Sequence, residues 1–263
     1  MADGIGRENR GQLRRAQIVA LVTQRGFATI ELLARQVGVT LQTVRRDLGQ
    51  LSEEGKVSRF HGGAGLPSSV ENIDYSTRKI LYLNEKKRIA QLVARHIPAH
   101  SSLFINIGTT TEAVARQLLG HEGLRFITNN LNVALLLASK PEFNVVVAGG
   151  TVRSRDGGIV GQSANDLIDQ FRVDIAVIGI SGIDLDGTLL DYDYDEVRAT
   201  QSIINSAEQV FLVADHSKFG RRPIVRAGCI TEVTALFTDQ PPPQQITDLM
   251  QAHDRKICVA GGN

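Results

Sequence analysis

The chain has 263 residues, 42% of them hydrophobic and 22% charged, which suits packed globular domains and excludes a disordered chain. Its apolar runs, such as LNVALLLA from Leu131, are too short for a bilayer, its first residues carry no apolar segment of signal-peptide type, and its two cysteines, Cys229 and Cys258, offer neither a disulfide scaffold nor zinc-site spacing. Those features lead to the expectation of a cytoplasmic location. The formal net charge of +1 is uneven, with residues 1–66 at +4 and the remainder at −3, so a polyanionic partner is expected for the first part.

Residues 11–25, GQLRRAQIVALVTQR, place Leu13, Ile18, Leu21 and Val22 at helical spacing, and Gly26 stops the helix. Thr29 caps a second, short helix, IELLARQV, which Gly38 ends. Thr40 caps a third, from Leu41 to about Glu54, and Gly55 ends it. Only the turn GVT separates the second helix from the third. KVSRF and HGGAG follow as a short β run with a glycine-rich tip. Three helices with a tight turn before the third, then a β element, make a winged helix-turn-helix over residues 1–66, with 1–10 expected to be flexible.

In the third helix Leu41, Val44, Leu48 and Leu51 form the inward stripe, which leaves Gln42, Thr43, Arg45, Arg46 and Gln50 outside. The second helix of such a pair enters the major groove of DNA by its N-terminal half. Arginine bridges O6 and N7 of guanine, glutamine bridges N7 and the amino group of adenine, and helix-start amides hold phosphate. The expected DNA-binding residues are therefore Thr40, Gln42, Thr43, Arg45 and Arg46, with Arg59 and His61 on the wing. A lone Arg-Arg pair is more often two solvated charges, here with Asp47 or Glu31 as partners. The conjunction with helix spacing, cap and wing favours DNA. From Arg15 to Ala64, through TVRRDL and RFHGGA, the chain resembles the N-terminal domain of the DeoR family of bacterial repressors.

Residues 67–83 read as a linker, on the Gly, Ser and Pro content that begins at Gly62. A helix at 84–97, with Ile89, Leu92, Val93 and Ile97 on one face, opens a domain over 84–263. SLFINI, LRFITN, FNVVVAG, VDIAVIGI, QVFLVAD and VTALFTD then alternate with TEAVARQLL, NVALLLAS, SANDLIDQF and EVRATQSIINSA. That is the pattern of an α/β domain with a mostly parallel sheet. Ligands of open α/β sheets bind beyond the carboxyl ends of the strands. The candidate effector residues at polar, glycine-rich strand ends and nearby turns are Gly108, Thr109, Thr110, Thr111, Thr128, Asn129, Gly149, Gly150, Arg153, Asp184, Glu196 and Lys218. Small residues and helix-start amides suit an anion, Lys218 supplies a point charge and Arg153 a bidentate grip. For any one of them alone, a capped turn or a surface cation explains as much.

From about Arg10 to Asp239 the chain resembles DeoR-family proteins, whose sensor domain is similar in fold to ribose-5-phosphate isomerases. The resemblance implies a repressor of double-stranded operator DNA, released by a small phosphorylated metabolite. Within the family, PSSVENIDYSTRK, TNNLNVA, RSRDGGIVG, DYDYDEVR and DHSKFGR resemble members that respond to glycerol 3-phosphate; another sugar phosphate is the alternative. One recognition helix reads too few bases for specificity, so a homodimer or homotetramer is expected. No cofactor, metal site or membrane contact is expected.

Two enzyme readings stand against a pure sensor. DLDGTLL, Asp184 to Leu190, matches a haloacid-dehalogenase phosphatase signature, but that chemistry needs its first Asp at a buried strand tip, and Ser181-Gly182 intervene here. A surviving isomerase would need a carboxylate base, Glu196 or Asp184, over the substrate carbon, and glycerol 3-phosphate has no carbonyl to isomerise. The run Asp191, Asp193, Asp195, Glu196 lacks the central glycine of a calcium loop and reads as a solvated face or a contact to sugar hydroxyls. A non-enzymatic sensor is the expectation.

Overall fold

The computed structural model describes residues 2–25, 27–60, 62–65 and 75–261. They belong to two compact units, Met1–Ser68 and Ser69–Asn263. His61 and most of the first half of the expected linker lie outside the described residues.

The first unit runs α1 (Ala2–Arg25), β1 (Phe27–Thr29), α2 (Ile30–Val37), α3 (Leu41–Glu53), β2 (Ser58–Phe60) and β3 (Gly63–Gly65). Residues 2–10, for which a flexible end was expected, continue α1; no proline interrupts that run. The Thr29 hydroxyl accepts the Leu32 amide and so caps α2, which Gly38 ends in the left-handed conformation at φ 65°. Thr40 does the same for α3 by accepting the Thr43 amide. β1 and β2 flank β3 in an antiparallel sheet. The sequence reading placed no strand at β1, whose three residues are too few to show a period.

Ile18, Val22, Leu33, Val44, Leu48, Leu51 and Ala64 make this unit's core. Two residues expected inside are not. Leu13 is 62% exposed, because it stands five residues before Ile18, about 140° around the helix. Leu41, the first residue of α3, sits at the rim of the core and is 40% exposed. In place of these, α3 buries an acid. Asp47 is 4% exposed and is gripped by the Arg14 fork at 2.5 and 3.0 Å, with Arg15 at 3.8 Å.

The second unit begins with α4 (Tyr75–Ile80) and α5 (Leu83–Ala94). β4 (Ser102–Ile105), α6 (Thr109–Leu118), β5 (Arg125–Thr128), α7 (Leu131–Leu137) and β6 (Asn144–Val147) follow. A hairpin of β7 (Thr151–Val152) and β8 (Ile159–Val160) leads to α8 (Gln162–Ile168) and β9 (Val173–Gly179). β10 (Gly182–Ile183), β11 (Thr188–Asp191), α9 (Tyr194–Asn205), β12 (Ala207–Val213) and β13 (Val225–Cys229) come next. β14 (Ala235–Thr238), α10 (Gln244–Ala252) and β15 (Lys256–Val259) complete it.

Seven strands form a parallel sheet in the order β15-β14-β12-β9-β4-β5-β6. Helices cover both faces, as the strand-helix alternation predicts. Ile89, Val93, Val114, Leu118 and Val133 of α5, α6 and α7 pack with Leu103, Ile105 and Phe126. Ala164, Ile168, Val197, Ile203, Ile246 and Met250 of α8, α9 and α10 pack with Phe104, Ile178 and Leu212. From β4 the chain builds β5 and β6 on one side, then returns to build β9 and β12 on the other. The β4–β9 boundary is thus the switch point of the sheet, where an α/β crevice opens. The second half of the expected linker is not a linker: it forms α4 and the start of α5. Nothing in the local pattern of YSTRKI requires a helix; tertiary side-chain contacts described below hold it.

The Asp47 grip generates a test. Asp47→Ala leaves Arg14 as an uncompensated, largely covered cation. It is expected to destabilise the first unit by about 2–3 kcal/mol, below the range for a fully buried pair because Arg14 retains some solvent. Chemical denaturation followed by a probe in the first unit reads this as a lower midpoint. An unchanged midpoint would show that the Arg14–Asp47 pair contributes nothing.

Candidate functional sites

In the first unit Gln42, Arg45 and Arg46 are all exposed on α3. Thr40 and Thr43 are engaged in the cap: the Thr40 hydroxyl accepts the Thr43 amide at 3.2 Å, and the two hydroxyls lie 3.0 Å apart. They set the start of the helix, whose first amides have no acceptor within it. Asp47, one of the acids that would have neutralised the arginine pair, is committed to Arg14 instead. On the wing, Arg59 is exposed, and its Nη1 approaches α3 so closely that a Cβ at Gly49 would lie 3.7 Å away. Gln42, Arg45, Arg46 and Arg59 therefore remain at the surface as donors.

In the second unit the charged groups gather around the switch point. Arg153, in the β7–β8 turn, is a hub. Its Nη2 lies 2.7 Å from both Asp156 and Glu196, and its Nη1 lies 3.0 Å from Asp193. Gly158 makes room for it: a Cβ there would stand 2.8 Å from Ile107 and 3.0 Å from Arg153 Nη2. Asp193 also caps α9 by accepting the Glu196 amide. Burial, followed by repulsion from Asp191, pushes Glu196 up to about 7 against the pull of Arg153. Burial raises buried Asp191 as well. Burial acts on Asp193 too, but the Glu196 amide and the two arginines, Arg153 and Arg155, hold it below the usual carboxylate range.

Beside these acids stands a cationic group. Lys218, in the turn after β12, is pulled down to about 7, chiefly by burial and next by Arg221; Arg78 and Lys86 add to this and Asp215 opposes it. Lys86 is pulled down to about 8, chiefly by burial, with Asp215 again opposing. Arg221 donates to the Tyr192 hydroxyl at 2.9 Å. Asp191 feels both Glu196 and Lys218, so the acidic and cationic groups adjoin. A dianion suits the second group, and hydroxyl donors suit the first.

The remaining expected residues divide. Gly108 opens α6 at φ 148°, and a Cβ on it would meet the Thr111 hydroxyl at 3.2 Å. Thr111 donates to the carbonyls of Asn106 and Gly108, and Thr128 to that of Ile105. Their hydroxyls serve the backbone, so they shape the turns and do not join the charged cluster. Thr109 and Thr110 lie in the first turn of α6, where amides lack helical acceptors. Asn129 is fully buried and donates to Ile159 at 3.3 Å. Gly150 lets β8 approach, since a Cβ would stand 2.7 Å from the Val160 carbonyl; Gly149 is exposed. Asp184 accepts from Arg222 at 2.9 Å in the β10–β11 turn, which Asp186 closes by accepting the Thr188 amide. DLDGTLL is accordingly a hairpin.

Sequence reasoning missed Tyr75, Arg78, Lys86, Asp156, Asp215 and Arg221 as members of this cluster, and left Asp191 open between a solvated face and a contact to sugar hydroxyls. Asp215, Lys218 and Arg221 recur every third residue at a strand end, which was a usable signal. Tyr75 and Arg78 carried none, since they lie in a polar segment without periodicity. A separate surface groove of about 360 Å³, lined by Gln201, Asn205, Arg226 and Glu232, holds none of these charges. Among the described residues no group of three or more His, Cys, Asp or Glu is arranged to hold a metal, and no helix is long and apolar enough to cross a membrane.

Residues 14–70 match the DeoR-like helix-turn-helix domain, and residues 82–240 match the DeoR C terminal sensor domain. The chain is 50% identical over 236 residues to the glycerol-3-phosphate regulon repressor of Escherichia coli (strain K12), covering 90% of this chain and 94% of that one. It is 44% identical over 249 residues to the HTH-type transcriptional repressor CsqR of the same organism, covering 95% of each. Among solved structures, the Pyrococcus horikoshii OT3 translation initiation factor eIF-2B matches in fold at a TM-score of 0.50 and 11% identity, over 91% of this chain and 90% of that one. Ribose-5-phosphate isomerases align over about half of the chain, at TM-scores of 0.36 to 0.39. With both domain models matched in order along its length, the chain belongs to the DeoR family.

Proposed function

We propose that this protein is a transcriptional repressor that holds operator DNA with α3 and the wing and is released by glycerol 3-phosphate. The metabolite's phosphate lies at Lys218, and its hydroxyls reach the carboxylates around Arg153. The observation that carries the reading is the adjoining of the two charge groups at the switch point of the sheet. A phosphorylated polyol has the same division, a dianion at one end and hydroxyl donors at the other. Half of the aligned residues are shared with a repressor named for this metabolite. A second reading, a different phosphorylated effector, is supported by 44% identity to a repressor of another name. The relatives' names are those of repressors, which supports a sensor without turnover in the cytoplasm.

For release, the effector must bind the DNA-incompetent state more tightly than the competent one. Two copies are needed to read two half-sites. A thermal-shift panel of phosphorylated polyols and sugars on the full chain separates the two effectors: glycerol 3-phosphate should give the largest rise, and a larger rise with a sugar phosphate would select the alternative.

Arg45→Ala is expected to cost about 1–3 kcal/mol of operator binding if Arg45 reads a guanine, with relaxed preference at one base pair. If it meets phosphate, affinity falls on every sequence and the salt dependence flattens. Undiminished binding by both Arg45→Ala and Arg46→Ala proteins, with the fold intact, would remove α3 from the interface.

Lys218→Ala should still bind operator yet respond poorly to the metabolite. One charge-assisted hydrogen bond is worth roughly 1.5–3 kcal/mol, so the induction midpoint should rise about tenfold to a hundredfold. A midpoint equal to that of the wild type would put the phosphate elsewhere.

The acidity of the site sets a pH dependence. With Lys218 at about 7 in the empty site, most of this amine is neutral at pH 8. A bound dianion raises it, so binding takes up a proton and weakens as pH climbs from 7 to 9. The slope should reach about tenfold per pH unit for each proton taken up. Calorimetry at pH 8 in two buffers of different ionisation enthalpy reads the uptake directly, and its absence would contradict this assignment.

A further inference from the structure

We propose that Arg78 is a phosphate-binding residue of this site, carried there by α4, so that the effector grips the stretch of chain that directly follows the DNA-reading unit. The proposal rests on the reading of the site as one for a phosphate ester.

α4 has six residues, too few to be stable alone. Several of its described ties run to the candidate site. The Tyr75 hydroxyl donates to both oxygens of Glu112, at 2.8 and 2.9 Å, and accepts from the Asn132 amide group at 3.1 Å. Lys86 donates to the carbonyls of Arg78 and Leu81, so a buried ammonium faces the C-terminal end of α4, where carbonyls lack helical donors. The Arg78 guanidinium lies 5.9 Å from the centre of the Tyr75 ring, and its side chain is 17% exposed. It is aimed inward by these contacts.

Arg78 stands between the two charge groups. On one side it meets Asp156 at 3.8 Å. Arg153 holds that same carboxylate at 2.7 Å, and Arg155 is also within 3.8 Å. On the other side Arg78 acts on Lys218, Lys86 and Asp191. Asp156 is therefore the shared acid of three arginines, and Arg78 is one of its two more distant partners. A dianion beside Lys218 offers Arg78 a two-pronged, charge-assisted contact. α4 begins at Tyr75, seven positions after Ser68, the last residue of the first unit. Ligand contact with Arg78 is thus contact with the chain that leaves that unit.

The test uses the full chain, with glycerol 3-phosphate and inorganic phosphate as probes. Arg78→Met is expected to weaken glycerol 3-phosphate by about tenfold or more, and Arg78→Lys, which keeps the charge without the fork, by less. In hydrogen exchange, amides 75–82 of the wild type should gain protection when glycerol 3-phosphate is added, and those of Arg78→Met should not. If Arg78→Met does not fold, Arg78→Lys and Arg78→Gln carry the comparison. Should the wild type bind glycerol 3-phosphate while the substituted proteins match it within twofold, or should 75–82 show no added protection, the proposal alone is overturned. Should the wild type bind neither probe, the phosphate reading is overturned with it.

Discussion

Arg153 joins three carboxylates from two separate stretches of chain, Asp156 in its own turn and Asp193 and Glu196 at the start of α9. This guanidinium is the constraint on which the candidate site depends. Without it, Asp156, Asp193 and Glu196 would face one another in a covered place, with Asp191 close behind. Buried ions of this kind cost desolvation that only good geometry and full pairing offset. The fork of Arg153 faces all three carboxylates at once as a lysine could not, with hydrogen bonds to Asp156 and Glu196 and an ion pair without a hydrogen bond to Asp193. Gly158 is part of the same arrangement, because any side chain there would press on Ile107 and on the guanidinium. The hairpin of β7 and β8 is consequently more than a decoration on the sheet edge: it carries the cation that lets α9 present acids at the crevice.

The second consequence is electrical. Several groups here are held away from their ordinary acidities by burial. Glu196 and Lys218 both lie at about 7, one moved up and the other down. Either group can therefore change its charge at little cost. Asp191 links the two, since it is felt by Glu196 and Lys218 alike. Under the proposed reading, a charged metabolite would alter the charge state of a cluster whose side chains extend to α4, and a difference in affinity between two states of the protein is what release from DNA requires.

Much of the fold was legible in the sequence, for identifiable reasons. Thr29, Gly38 and Thr40 act as caps where short polar and glycine residues flank apolar stripes, and the structure uses each in that role. The β-branched runs became the central strands because residues buried on both faces need no alternation. Other parts were not legible. Asp47 reads as an exposed acid beside two arginines, yet it faces inward, because only the fold brings Arg14 to it across 33 residues of chain. The end of the expected linker is helical for the same reason: its partners Glu112 and Asn132 are remote in sequence. Arg153, Glu196 and Lys218 were expected from their strand ends and turns, and the structure brings them into one charged cluster. Their neighbour Asp156 required the tertiary fold, and so did the choice between the two readings of Asp191, since a carboxylate in a polar loop looks the same whether it is solvated or buried.

The most direct measurement is a crystal structure of the full chain with glycerol 3-phosphate bound. The account predicts phosphate oxygens within hydrogen-bond distance of Lys218, and at least one glycerol hydroxyl against Glu196 or Asp193 beside Arg153. A metabolite seated in the groove between α9 and β13, or lying with its phosphate on the carboxylate side, would contradict it.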